Sequence, residues 1–161
     1  MNSWLRYWVI PASFAMALML TMLPLPAWAQ PYRPDWVALV ALYWVLALPR
    51  VFGIGLSWCC GLLVDVAQGA LLGQHALGMA VIGYFAHRFH QRIRVYPLAQ
   101  QSLLVLVLLC VKLTIVLWIN GITGHAPDNM LLYYAPALIG MLLWPWIFTL
   151  LRDVRRRQKL R

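Results

Sequence analysis

The stretch GLLVDVAQGALLG, residues 61–73, sets a carboxylate, Asp65, inside an apolar run with Gly61 and Gly69 four residues to either side. A group of that type could accept a proton, ligate an ion or form half of an ion pair. A charge at the centre of a bilayer costs about 2.5 to 3.5 kcal/mol on insertion scales, so it needs a partner or a task. Lys112, within LLVLVLLCVKLTIVLWI at 103–119, is the matching basic group. Asp65 lies 15 residues beyond Arg50, and Lys112 lies 15 beyond Pro97. At 1.5 Å per helical residue both stand about 22 Å from the same membrane face, and the expectation is a pair, or a shared polar pocket, between Asp65 and Lys112. The alternative is that Asp65 reaches the outer interface and caps the polar turn at Gln68 and Gly69.

Other chemistry is sparse. Ser57 lacks the surroundings of a nucleophile elbow, and Gly53 and Gly55 lack the Lys and hydroxyl of a phosphate loop. His87 and His90 could share a metal, but Arg88 and Arg92 beside them point to an interfacial basic cluster instead. His75 and His125 fall in outer loops, with a solvated or helix-end role. Cys59, Cys60 and Cys110 lie in apolar runs and are expected as small buried side chains. The expectation is no enzyme, no metal and no cofactor.

The elements that must hold Asp65 are transmembrane helices. The chain has 161 residues, 63% hydrophobic and 11% charged, with four acids (Asp35, Asp65, Asp128, Asp153) and no Glu. Its mean hydropathy of +0.75 is that of a membrane protein. Six spans are expected, at about 8–23, 36–48, 51–67, 77–89, 98–119 and 130–151, in one all-α membrane domain covering 1–161, with a basic tail at 152–161. A signal peptide ending at the A-W-A of residues 27–29 is the rival view of the N-terminus. Loops on the cytoplasmic side would hold Arg6, Arg50, Arg88, Arg92, Arg94, Arg152, Arg155, Arg156, Arg157, Lys159 and Arg161, and outer loops only Arg33. That asymmetry puts both termini in the cytoplasm. Aromatic residues near the span ends, such as Trp4, Trp8, Trp28, Tyr96 and Tyr133, fit an interfacial belt. The tail suits anionic lipid better than nucleic acid. Ser57, Gly61, Asp65 and Gly69 share one helical face, so Asp65 should face protein across a small-residue contact, whereas Gly73 ends or bends the segment.

R-P-D-W at Arg33–Trp36, A-L-Y-W at Ala41–Trp44, A-L-P at Ala47–Pro49, the G-x-x-x-D-x-x-x-G-x-x-L-G run at Gly61–Gly73, and L-W-P-W-I-F at Leu143–Phe148 before a basic tail are together similar to the MreD family. These are rod shape-determining membrane proteins of bacterial cell elongation. The resemblance implies a six-helix fold like the substrate-binding component of energy-coupling vitamin transporters, in the bacterial inner membrane. It implies a non-enzymatic part in the elongation complex (elongasome) and in lateral peptidoglycan synthesis through binding of the MreC scaffold. The MreB filament, the RodA polymerase and the elongation transpeptidase would be indirect partners. The characteristic family positions fall on Arg33, Pro34, Trp36, Gly61, Asp65, Gly69, Gly73, Trp144 and Pro145; Lys112 matches none. The competing class is a small-solute or lipid-binding transport module, which should show a pocket roofed by an outer loop.

Overall fold

The computed structural model describes residues 7–158. Trp4, Arg6, Lys159 and Arg161 lie outside the described residues. All regular structure within them is helical: α1 (Val9–Met22), a 3-10 turn (Gln30–Tyr32), α2 (Trp36–Ala47), α3 (Ile54–Gln68), α4 (Gln74–Val95), α5 (Leu98–Ile122), α6 (Met130–Tyr133) and α7 (Ala135–Arg157). Two segments, Leu98–Ile122 and Met130–Arg157, are long and apolar enough to cross a membrane by themselves.

WVALVALYWVLA is apolar on every side, and a helix of that kind belongs in an interior. It does so here: α2 is the centre of the molecule, with every residue from Val37 to Leu46 buried. Around it run α1, α3, α4, α5 and α7, each packed on the next in that order, with all but α5 also packed directly on α2. Trp44 of α2 donates from Nε1 to Ser13 Oγ at 2.9 Å, tying α1 to the centre. The Phe14 and Phe52 rings stack 5.3 Å apart beside it. On the other side, Tyr43 meets the Phe148 ring edge-on at 5.6 Å and so holds α7.

The sixth expected span is broken near its start, next to Pro136, and its helix continues into the basic segment. Tyr134 separates α6 from α7, with Pro136 in the opening turn of α7, where a missing N–H costs nothing. The basic segment expected as a tail from 152 is helical through Arg157. Arg155 Nη1 donates to Ala47 O at 3.4 Å, so this end of α7 also serves the C-terminus of α2. Of the cysteines, Cys60 is buried and Cys110 partly so, but Cys59 is exposed.

Candidate functional site: a core of helix-end clamps

Asp65 is fully buried near the end of α3. One oxygen accepts from His75 N at 2.8 Å and from His75 Nδ1 at 2.9 Å. The other accepts from Gly73 N at 2.9 Å and Ala76 N at 3.3 Å. These amides are free N–H groups at the start of α4, whose cap residue, Gly73, has no side chain to serve them. Asp65 is therefore the N-cap of a neighbouring helix, and its negative charge sits on the positive end of that helix dipole. Carboxylate oxygens only accept, which fixes the His75 proton on Nδ1. Asp65 does cap a turn, as one of the two sequence alternatives held, but the turn runs from Gly73 to Ala76 and not over Gln68 and Gly69.

The three glycines do three different things. A Cβ at Gly61 would lie 2.4 Å from Ala76 Cα and 2.7 Å from Ala76 N, so the absent side chain is what lets α4 start against α3. Gly69 takes no part in that contact, with open space where a Cβ would be; this corrects the expectation of a packing stripe extending to it. It ends α3 at φ +63°, where Gly69 N donates to Val66 O and Ala70 N to Asp65 O, a Schellman closure. Gly73, at φ +97°, turns the chain into α4. Ser57 extends the contact upward: a Cβ on Gly83 would come within 2.8 Å of Ser57 Cβ. Gly61→Ala should therefore lower stability by about 1 to 3 kcal/mol, because its methyl meets backbone that cannot step aside. Thermal unfolding in detergent measures this, and Gly55→Ala, where nothing lies within 4 Å, is the matched control.

Lys112 pairs with Asp35 through Nζ and Oδ2, not with Asp65. Asp35 is the N-cap of α2, accepting from Ala38 N at 3.1 Å on one oxygen while the other meets the lysine, so one carboxylate serves both the helix start and the buried cation. A 12-residue helix spans only about 18 Å, which leaves that end deep enough in the molecule for Lys112 to meet it. The lysine stem passes over Gly78, where a Cβ would lie 2.7 Å from its Cγ. Matching by helical rise pointed Lys112 to Asp65, and the acid it meets is instead the one of R-P-D-W.

Arg33 donates from both terminal nitrogens to the carbonyls of Thr21 and Leu23, at the end of α1. A guanidinium there meets orphan carbonyls and the negative end of the dipole together. Pro34 O accepts from Trp36 N at 3.1 Å, and Trp36, partly buried, begins α2 against the core. At the opposite end of the molecule Trp144 is fully buried, and its Nε1 donates to Gln101 Oε1 at 3.3 Å. Gln101 Nε2 in turn donates to Ile93 O at 3.0 Å and Tyr96 O at 3.2 Å, the last carbonyls of α4. Pro145 lies inside α7, next to that contact. Sequence reasoning passed over Asp35 and Gln101 and gave His75 only a solvated or helix-end role, of which the structure shows the second, in the first turn of α4; the signal for Asp35 was an N-cap residue type directly before an apolar run. His90 Nδ1 donates to the His87 carbonyl at 2.6 Å. Among the described residues no group of three or more His, Cys, Asp or Glu is placed to hold a metal ion.

The arrangement does one thing repeatedly: a side chain from one segment satisfies the end of a helix belonging to another. Asp65 serves the start of α4 and Gln101 its end, Arg33 the end of α1 and Arg155 the end of α2. Where water is absent each unsatisfied backbone group costs several kcal/mol, so these polar residues hold a bundle together in an apolar setting.

The model of the family described as rod shape-determining protein MreD matches residues 2–154. A curated rod shape-determining protein MreD from Haemophilus influenzae is 35% identical over 160 residues, which is 97% of this chain and 96% of that protein. No solved structure matches.

Proposed function

Because the chain belongs to the MreD family of rod shape-determining proteins, we propose that it acts in rod-shape determination as a non-enzymatic, multi-pass component of the bacterial inner membrane. The observation that carries this is the family match over nearly the whole chain. In the proposed arrangement α1 to α5 and the α6–α7 pair cross the membrane six times, with both termini cytoplasmic. Support comes from the one-sided distribution of Lys and Arg, and from the way the short α2 is enclosed by longer neighbours. The helices form a rigid surface on which the MreC scaffold docks, and through it the polymerase and transpeptidase of lateral peptidoglycan synthesis are brought to the same place.

The polar core favours this over a small-solute module. The buried carboxylate that motivated a solute site is already taken up by four donors from its own chain. The void beside Asp35 is only about 10 Å³, scarcely room for one water, and the hollow of about 430 Å³ between the loop at 69–71 and Thr123 and His125 is lined by no acid, Lys or Arg. Depleting the protein from a rod-shaped host should give rounded cells, scored by microscopy, and a tagged copy should copurify with the MreC scaffold. A nutrient-uptake defect in cells that stay rod-shaped would overturn the proposal.

A further inference from the structure

Between α4 and α5 lies a groove of about 370 Å³, walled by Phe85 and Phe89 of α4 and by Leu104, Val107 and Val111 of α5, with Arg92 and Tyr96 also in its lining. Phe85, Phe89, Arg92 and Tyr96 are spaced four, three and four apart, so they follow one helical face. The two helices are joined through Pro97 and run antiparallel, which puts Arg92 and Tyr96 at the end of the groove beside the connecting turn. From Phe85 to Arg92 the apolar channel extends about 10 Å before it meets the guanidinium. Arg92 has no acidic partner among the described residues: Asp35 is paired with Lys112, Asp65 caps α4, Asp153 lies beside Arg152, and Asp128 forms no salt bridge. Arg94 adds a second positive charge in the same last turn. An apolar trough closed by an unneutralised cation is complementary to an amphiphile with a hydrocarbon tail and an anionic head.

We propose that this groove binds one acyl chain of an anionic phospholipid, with the lipid phosphate held by Arg92 and the Tyr96 hydroxyl beside it. The assignment of that lipid to the cytoplasmic leaflet rests on the orientation proposed above; the binding itself does not. A lipid held there would be a fixed part of the surface that α4 and α5 present to partners.

The test uses the full chain purified in detergent, with phosphatidylglycerol and phosphatidylcholine as probes and native mass spectrometry as the readout. The chain should retain phosphatidylglycerol in preference to phosphatidylcholine. That preference should fall about fivefold in Arg92→Gln, the share of one near-surface cation, and return in Arg92→Lys. Val107→Trp, which fills the trough, should reduce retention of both lipids, while Arg50→Gln, on the turn between α2 and α3 and outside the groove, should change neither. An unchanged preference in Arg92→Gln would overturn the proposal without relying on the bulkier variant. So would disulfide crosslinking of Val107→Cys between two copies in membranes, which would give the groove to a second chain.

Discussion

Asp65→Ala should destabilise the folded protein by about 3 to 5 kcal/mol, because it removes a buried charge on which four donors depend. Hydrogen bonds to a charged group are worth about 1.5 to 3 kcal/mol each, and the orphaned amides of Gly73, His75 and Ala76 would have no water to replace it. Gly73 cannot take over, having no side chain, and Gly69 is already engaged in ending α3. Asp65→Asn should fall between wild type and Asp65→Ala. It keeps one accepting oxygen but turns an NH2 toward N–H donors, and it loses the favourable charge at the helix start. Unfolding in mixed detergent micelles measures both variants, and cells relying on Asp65→Ala should lose rod shape as the protein falls in abundance. A loss of less than about 1 kcal/mol for Asp65→Ala would mean that the α4 start is held mainly by packing against Gly61, and the capping account would fail.

How much of this was legible beforehand divides along a physical line. Two helix starts were, because an apolar run opened by a Pro or an N-cap residue needs no partner to be recognised: α2 begins at Trp36 and α5 at Leu98, whereas α3 starts at Ile54 and α4 extends over Gln74–Val95, away from the expected 51 and 77–89. The protein-facing placement of Asp65 was legible too, since Gly61 and Ser57 lie on its face and the contact with α4 runs through both. Gly69 misled because spacing cannot distinguish a glycine that admits a neighbour from one that supplies a positive φ, and only its φ of +63° shows which it is. Partner identity was not legible at all. Equal residue counts from Arg50 and Pro97 gave Asp65 and Lys112 the same expected depth, but depth is a single coordinate, and azimuth around the bundle decides which groups meet. Gln101 was silent for a related reason: its role depends on where α4 ends and on how Trp144 enters from α7. Three of the residues singled out in the sequence thus sit at closures of helix ends: Arg33 at α1, Asp65 at α4 and Trp144 through Gln101.

The pair formed by Lys112 and Asp35 should show a strong asymmetry between its single variants and a recovery in the double. Lys112 is almost entirely buried, at 1% side-chain exposure, whereas Asp35 is 20% exposed. Asp35→Asn would strand the ammonium with no counter-charge, at a cost of about 3 to 5 kcal/mol. Asparagine remains a good N-cap, so little of that loss would come from α2 itself. Lys112→Met should cost less. It leaves Asp35 in partial contact with the surroundings and still accepting from Ala38 N, and the methionine stem follows the lysine stem past Gly78. In the Asp35→Asn, Lys112→Met double variant, neutral groups of similar size replace both charges. Buried pairs exchanged in this way are often no less stable than the original, so the double should lie within about 1 kcal/mol of Lys112→Met alone. A complete double-mutant cycle by detergent unfolding, scored beside cell shape, decides what the charges are for. Rods supported by the double variant would make the pair an internal fastening of α2 to α5, whereas round cells at normal stability would make the charges themselves part of the activity.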